Sequence, residues 1–97
     1  MLTLHLLNEV KIALHELSEE LRAKIRGQLG FLVANETSAL TIRTLRGKIK
    51  ELKVKRYRLI FFIKNDTIYV IDLFEKKSAK TPHHILARAE KIYSQPV

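Results

Sequence analysis

The sequence predicts an α+β fold, on three observations. Apolar residues recur at helical spacing in the first third of the chain, residues 48–74 switch to β-branched and aromatic runs, and a Thr81-Pro82 step opens a last helical stretch. The expected order is a short strand, a helix hairpin, a three-stranded antiparallel meander and a C-terminal helix. All of it is expected within one domain spanning residues 1–97, because a chain of 97 residues supplies one small core.

The opening LTLHLL alternates weakly from Leu2 to Leu6, as a short strand does, and Asn8 is placed to cap a helix beginning at Glu9. Val10, Leu14 and Leu17 share one face of that helix. Ser18 ahead of Glu19 and Glu20 reads as a second cap: a serine oxygen accepts from free amides, and carboxylates suit the positive helix end. Leu21, Ile25, Leu29 and Leu32 form the stripe of the second helix, and the polar NETS at 35–38 ends it.

From Gly47 the period changes. KIKELKV (48–54), YRLIFFIK (57–64) and TIYVIDLF (67–74) are the expected strands. Asn65-Asp66 tolerates positive φ and fits a tight hairpin, and Lys55-Arg56 is the expected earlier turn. Thr81 and Pro82 then serve as N-cap and first residue of a helix burying Ile85, Leu86, Ala89 and Ile92.

Composition narrows the function. With no cysteine, the chain has neither a disulfide frame nor a thiolate metal site. The longest apolar run, LIFFI at 59–63, is far short of the roughly 20 residues a membrane span needs, and the N-terminus lacks a basic flank followed by an apolar core. A cytoplasmic protein with no membrane partner is expected. The net charge of +8 is segregated: residues 1–45 hold five basic and five acidic residues, and residues 46–97 hold thirteen and five. That asymmetry favours a polyanionic partner, nucleic acid or an acidic protein, over plain solubility.

Seven basic residues lie between positions 46 and 58, namely Arg46, Lys48, Lys50, Lys53, Lys55, Arg56 and Arg58, and only Glu51 opposes them. Strand alternation lets Lys53 and Arg58 face the same side across the 55–56 turn. Lys76 and Lys77 leave the last strand, which pairs with the strand bearing Arg58, and Lys80 precedes Thr81-Pro82. Crowded cations on one sheet face are costly unless an anion fills the space between them. Edge protection is the less favoured account of Lys48, Lys50 and Lys55, and weaker still for Arg58 inside the apolar YRLIFF run.

These stretches, LRGKIKELK, then YRLIFF, then IYVIDLFEKKSAKTP, resemble the RelE/ParE toxin superfamily, specifically the phage-derived HigB-like branch of toxin–antitoxin systems. The similarity covers about residues 45–97 well and the helix hairpin loosely. It implies a RelE-like fold, metal-independent cleavage of messenger RNA, usually on the ribosome, and a helix-turn-helix antitoxin as partner; no cofactor is implied. Lys53 stands where the family usually has the Arg of a Glu-Leu-Arg strand end, and Lys50 where an aromatic commonly precedes that Glu. Lysine keeps the charge but not the planar fork that grips a phosphate through two bonds.

RNA can be cut without metal when its own 2′-hydroxyl attacks the adjacent phosphorus, which needs a base, a cation for the developing charge and an acid for the leaving oxygen. The implied assignment is Arg58 as phosphate clamp, Lys76 or Lys77 as proton carrier and charge stabiliser, and Lys53 as a further phosphate ligand. Lys48, Lys50, Lys55, Arg56 and Lys80 extend the RNA-binding surface, and Tyr69 is a candidate for base stacking against a competing place in the core. His83, just after the lysines, is a candidate auxiliary acid, and Asp72 either a counter-ion for Arg58 or Lys76 or a turn-satisfying carboxylate. His83 and His84 are adjacent, with no partner at the spacing a metal pair needs, so no metal site is expected. Two other functions stay open, a ParE-like protein that binds gyrase and a non-catalytic module that binds RNA or an antitoxin.

Overall fold

The computed structural model describes residues 2–96. Strand β1 (Thr3–Leu6) leads into helices α1 (Asn8–His15) and α2 (Glu19–Val33), followed by a 3-10 turn at Thr37–Ala39. Strands β2 (Thr41–Arg46), β3 (Ile49–Val54), β4 (Tyr57–Lys64) and β5 (Thr67–Glu75) form an antiparallel meander, and α3 (His83–Tyr93) closes the chain. The sheet order is β1-β5-β4-β3-β2, with β1 parallel to β5. Among the described residues no helix is long and apolar enough to cross a membrane.

The meander has four strands where the sequence predicts three. The added strand, β2, escapes a period-two reading because its register shifts between Thr44 and Arg46, which breaks the alternation of Ile42 and Leu45. The turn to β3 runs through Gly47 at φ 54°, a left-handed conformation open to glycine without strain. Asn65 and Asp66 both take positive φ, 53° and 60°, as a two-residue type I′ hairpin requires, and Lys55 takes 55° in the β3–β4 turn.

Helix starts differ in detail from the expected caps. Ser18 does cap α2, its Oγ accepting from the Leu21 amide at 3.2 Å. Asn8 does not cap α1, because Leu7 is held by its amide to the Val70 carbonyl and itself receives the amides of Val10 and Lys11. Likewise α3 begins at His83 with Pro82 in the cap position; the Pro82 carbonyl accepts from Ile85, and Thr81 Oγ1 makes no bond.

Alternation along the strands gives the sheet two apolar faces. On one, Val10 and Leu14 of α1 and Ile25, Leu29 and Leu32 of α2 pack on Leu52, Val54, Leu59, Phe61, Ile68, Val70 and Leu73. On the other, Ile85 and Ala89 of α3 pack on Ile49, Ile60, Phe62 and Ile71, with Leu86 and Ile92 partly buried beside them. The position of α3 is fixed by polar bonds at its far end. Lys64 Nζ donates to the carbonyls of Tyr93 (2.6 Å) and Gln95 (3.0 Å), and Arg46 pairs with Glu90 at 2.8 Å. Arg88 donates to the Ile71 carbonyl and pairs with Glu9. So tethered, α3 covers the Ile49 end of its sheet face and leaves the other end open.

Candidate functional site

The uncovered end of that face is where the strand residues change character. Moving along β3 from Ile49, the next residues on the same side are Glu51 and Lys53; along β4 from Phe62 they are Ile60 and Arg58. Register sets them side by side: Arg43, Glu51, Ile60 and Asp72 form one row across β2 to β5, and Thr41, Lys53, Arg58 and Phe74 the next. Thr41, Arg43, Glu51, Lys53, Arg58 and Lys76 line an open cleft of about 240 Å³.

Glu51 is the centre of the cleft. It is the one charged residue buried among the described residues, with 3% of its surface exposed. Its Oε1 receives Arg58 Nε at 2.8 Å and faces Lys76 Nζ at 3.7 Å, while its Oε2 receives Arg43 Nη2 at 3.1 Å. A carboxylate taken out of water is tolerated when cations and hydrogen bonds surround it in this way. Arg58 is further locked by Nη1, which donates to the carbonyls of Lys55 and Tyr57, both at 2.9 Å. Lys76 is brought in by the ladder itself, its amide bonding to the Arg56 carbonyl at 2.8 Å beyond the last β4–β5 pair.

Three cations therefore converge on one carboxylate, a fourth, Lys53, lines the same cleft, and the cleft keeps a positive surplus. The roles within it are unequal. Arg58 and Lys76 are mostly enclosed, each side chain 13% exposed, whereas Arg43 reaches in from the edge strand with 60% of its side chain in solvent. Lys53 is exposed and, among the described residues, has no carboxylate partner. Lys77 is exposed at the exit from β5. Such a cleft can accept a phosphate without first losing its shape, since Arg43, Arg58 and Lys76 are held by Glu51 while Lys53 and Lys77 extend into solvent.

The other candidate residues lie elsewhere. Lys50 alternates to the opposite face, opposite Phe61, and Lys48 is at the β2–β3 turn beside Glu90 and Tyr93. Lys55 and Arg56 line a separate cleft with Ser18 and Lys24, and Arg56 pairs with Glu75 at 3.3 Å. Tyr69 stacks on Phe62 at 5.3 Å and meets His5 edge-on at 5.4 Å, within the half of the face that α3 covers. Asp72 is not the counter-ion of Arg58 or Lys76: Glu51 takes both, and Asp72 Oδ1 instead accepts from the Leu73 amide beside the register shift between Ile60 and Phe61. Lys80 and His83 are exposed, in the loop before α3 and at its first position. Three residues of the cleft, Thr41, Arg43 and Glu51, carry no role in the sequence-based assignment. The signal for Glu51 was its place two residues before Lys53, which alternation puts on the same side; Arg43 had none without β2.

No curated protein matches this chain at a significant level. Among solved structures it is similar to the isolated Escherichia coli RelE toxin, at 14% identity and TM-score 0.64 over 95% of this chain and 99% of that one. It is also similar to a chain of the intact E. coli RelBE toxin–antitoxin complex, at 16% and 0.66 over 80% and 100%. A chain of an archaeal RelE–RelB complex from Pyrococcus horikoshii gives 17% and 0.66 over 80% and 98%. At these identities the likeness is one of fold, and it agrees with the RelE-like α+β architecture expected from the sequence. The profile of the phage-derived Gp49-like proteins matches residues 13–94, from α1 to the end of α3 and so through every strand of the meander. The chain belongs to the phage-derived Gp49-like family and is built on the fold of RelE toxins.

Proposed function

We propose that the protein is the toxin of a toxin–antitoxin pair, and that it blocks translation by cutting messenger RNA at the Glu51 cleft, on the ribosome. The observation that carries this reading is the convergence of Arg43, Lys53, Arg58 and Lys76 on an open, positively charged end of the sheet. The solved RelE chains, several bound to antitoxins, support it by their fold. In the proposed reaction the 2′-hydroxyl gives up its proton and attacks phosphorus, the 5′-oxygen leaves with a proton, and a cyclic phosphate remains. Arg43 and Lys53 hold the non-bridging oxygens with the Arg58 Nη2 that its internal bonds leave over. Lys76 offsets the charge developing on phosphorus, and Lys77 on the exposed exit loop carries the proton.

A helix-turn-helix antitoxin is the proposed partner that silences the protein. One observation favours a second reading, an RNA-holding module that does not cut: Arg58 spends Nε and Nη1 on its own protein, and Lys53 offers a point charge in place of a fork. Incubating the purified protein with translating ribosomes and mapping new RNA 5′ ends decides between them. New ends that vanish in Arg58→Ala support cleavage; RNA bound with no new ends leaves the holding module. Unimpaired protein synthesis under strong expression of folded protein defeats the toxin reading altogether.

A further inference from the structure

We infer that Glu51 is a positioning residue for RNA cleavage, resting on the cleavage reading above: it sets the spacing of the cations and does not itself touch the RNA. Three elements separate in the chain are joined through this one side chain. Arg43 comes from edge strand β2, Arg58 from β4, and Lys76 from the segment after β5, while Glu51 lies between them on β3. Both carboxylate oxygens are committed to cations, and only 4% of the side chain is open to solvent. So enclosed, the carboxylate gives a ribose hydroxyl little access. Nor does Glu51 face water as a general base would need to.

The carboxylate also acts against binding. It cancels one of the four charges that would otherwise attract a polyanion, so for affinity alone the cleft is better without it. Its value lies in geometry. The Arg58 guanidinium is fixed on three sides, by Glu51 and by the carbonyls of Lys55 and Tyr57, and Lys76 is drawn to the same carboxylate oxygen. Loss of Glu51 releases the cations to repel one another and to meet the phosphate in many arrangements, of which few are productive.

The test compares wild type, Glu51→Gln and Glu51→Asp in RNA cleavage, with KM and kcat separated, alongside thermal melting and the NMR signal of the Arg58 Nε–H. Glu51→Gln is expected to lower kcat by about 100-fold, to leave KM unchanged or lower, and to abolish the distinct Arg58 Nε–H resonance. Glu51→Asp keeps the charge and is expected to recover part of kcat. Wild-type kcat in Glu51→Gln overturns the inference, as does a fall in kcat with the Arg58 resonance intact, since that would make Glu51 act on the RNA directly. Should Glu51→Gln not fold, Glu51→Asp decides: a reduced kcat at unchanged KM with a shifted Arg58 resonance supports the clamp, and a wild-type rate overturns it. Wild-type protein that cuts no RNA takes down the cleavage reading and the inference with it, an outcome distinct from active wild type beside an equally active variant.

Discussion

The face of the sheet under α3 divides into two halves made by the same strands. At one end Ile49, Ile60, Phe62 and Ile71 meet Ile85 and Ala89; at the other, strand positions of the same parity carry Glu51, Lys53 and Arg58. Secondary structure does not distinguish them. What differs is cover. Where the amphipathic helix lies, burial of apolar surface stabilises by about 25 cal/mol per Å², and where it stops, the strands can carry charge instead. The covered half holds the fold and the open half gathers the charge, with Glu51 as the point where burial and charge coincide.

Substitutions in the two halves are expected to separate these roles. Phe62→Ala removes a side chain only 1% exposed, in contact with Tyr69 and Tyr93, and is expected to cost about 3–5 kcal/mol in chemical denaturation while the folded fraction still binds RNA. A loss of specific RNA binding at matched folded fraction would break the division. Arg58→Ala crosses it: leaving Glu51 without its nearest cation is expected to cost about 1–3 kcal/mol and to abolish cleavage. Unchanged melting and unchanged cleavage would reduce the open half to plain surface. Lys53→Ala is expected to alter stability by less than about 0.5 kcal/mol but to lower the salt dependence of RNA binding by about one contact, with Lys53→Arg binding more tightly than wild type. A salt titration of RNA affinity checks both. Arg46→Ala breaks the exposed pair that ties α3 to β2 and is expected to cost about 0.2–1 kcal/mol with no change in RNA affinity.

Much of this division is legible in the sequence, for a physical reason. The turns at Lys55-Arg56 and Asn65-Asp66 are two residues long, and a turn of that length fixes register, so the placement of Lys53 opposite Arg58 follows from counting. The buried stripes of α2 and α3 follow from their 3.6-residue period. What sequence patterning does not show is β2, whose bulge interrupts alternation, and with it Arg43. Nor does it show that Glu51, one acid among seven bases, gathers cations from both neighbouring strands and from Lys76 beyond β5: local patterning reports which side a residue faces, and not which residues of other elements meet it there. Tyr69 illustrates the same limit, since the sequence favours packing for it but leaves a stacking platform open until the extent of α3 is known.

The parallel pairing of β1 with β5 bears on the order in which the protein assembles. Its ladder joins Thr3 to Thr67 and Leu6 to Val70, so β1 waits for a segment made well after it. Strands β2 to β5 are consecutive and close through short turns, and contacts between near neighbours in sequence form sooner than those that close a long loop. The cation-lined end of the sheet belongs wholly to that local set and to Lys76 just beyond it. In a nascent chain the parts of the cleft are thus expected to meet before β1 docks, and pulse-labelled hydrogen exchange during refolding should show protection at Leu52 and Phe61 ahead of Leu4. Strand β1, made before the meander, is then expected to be locked in place after it.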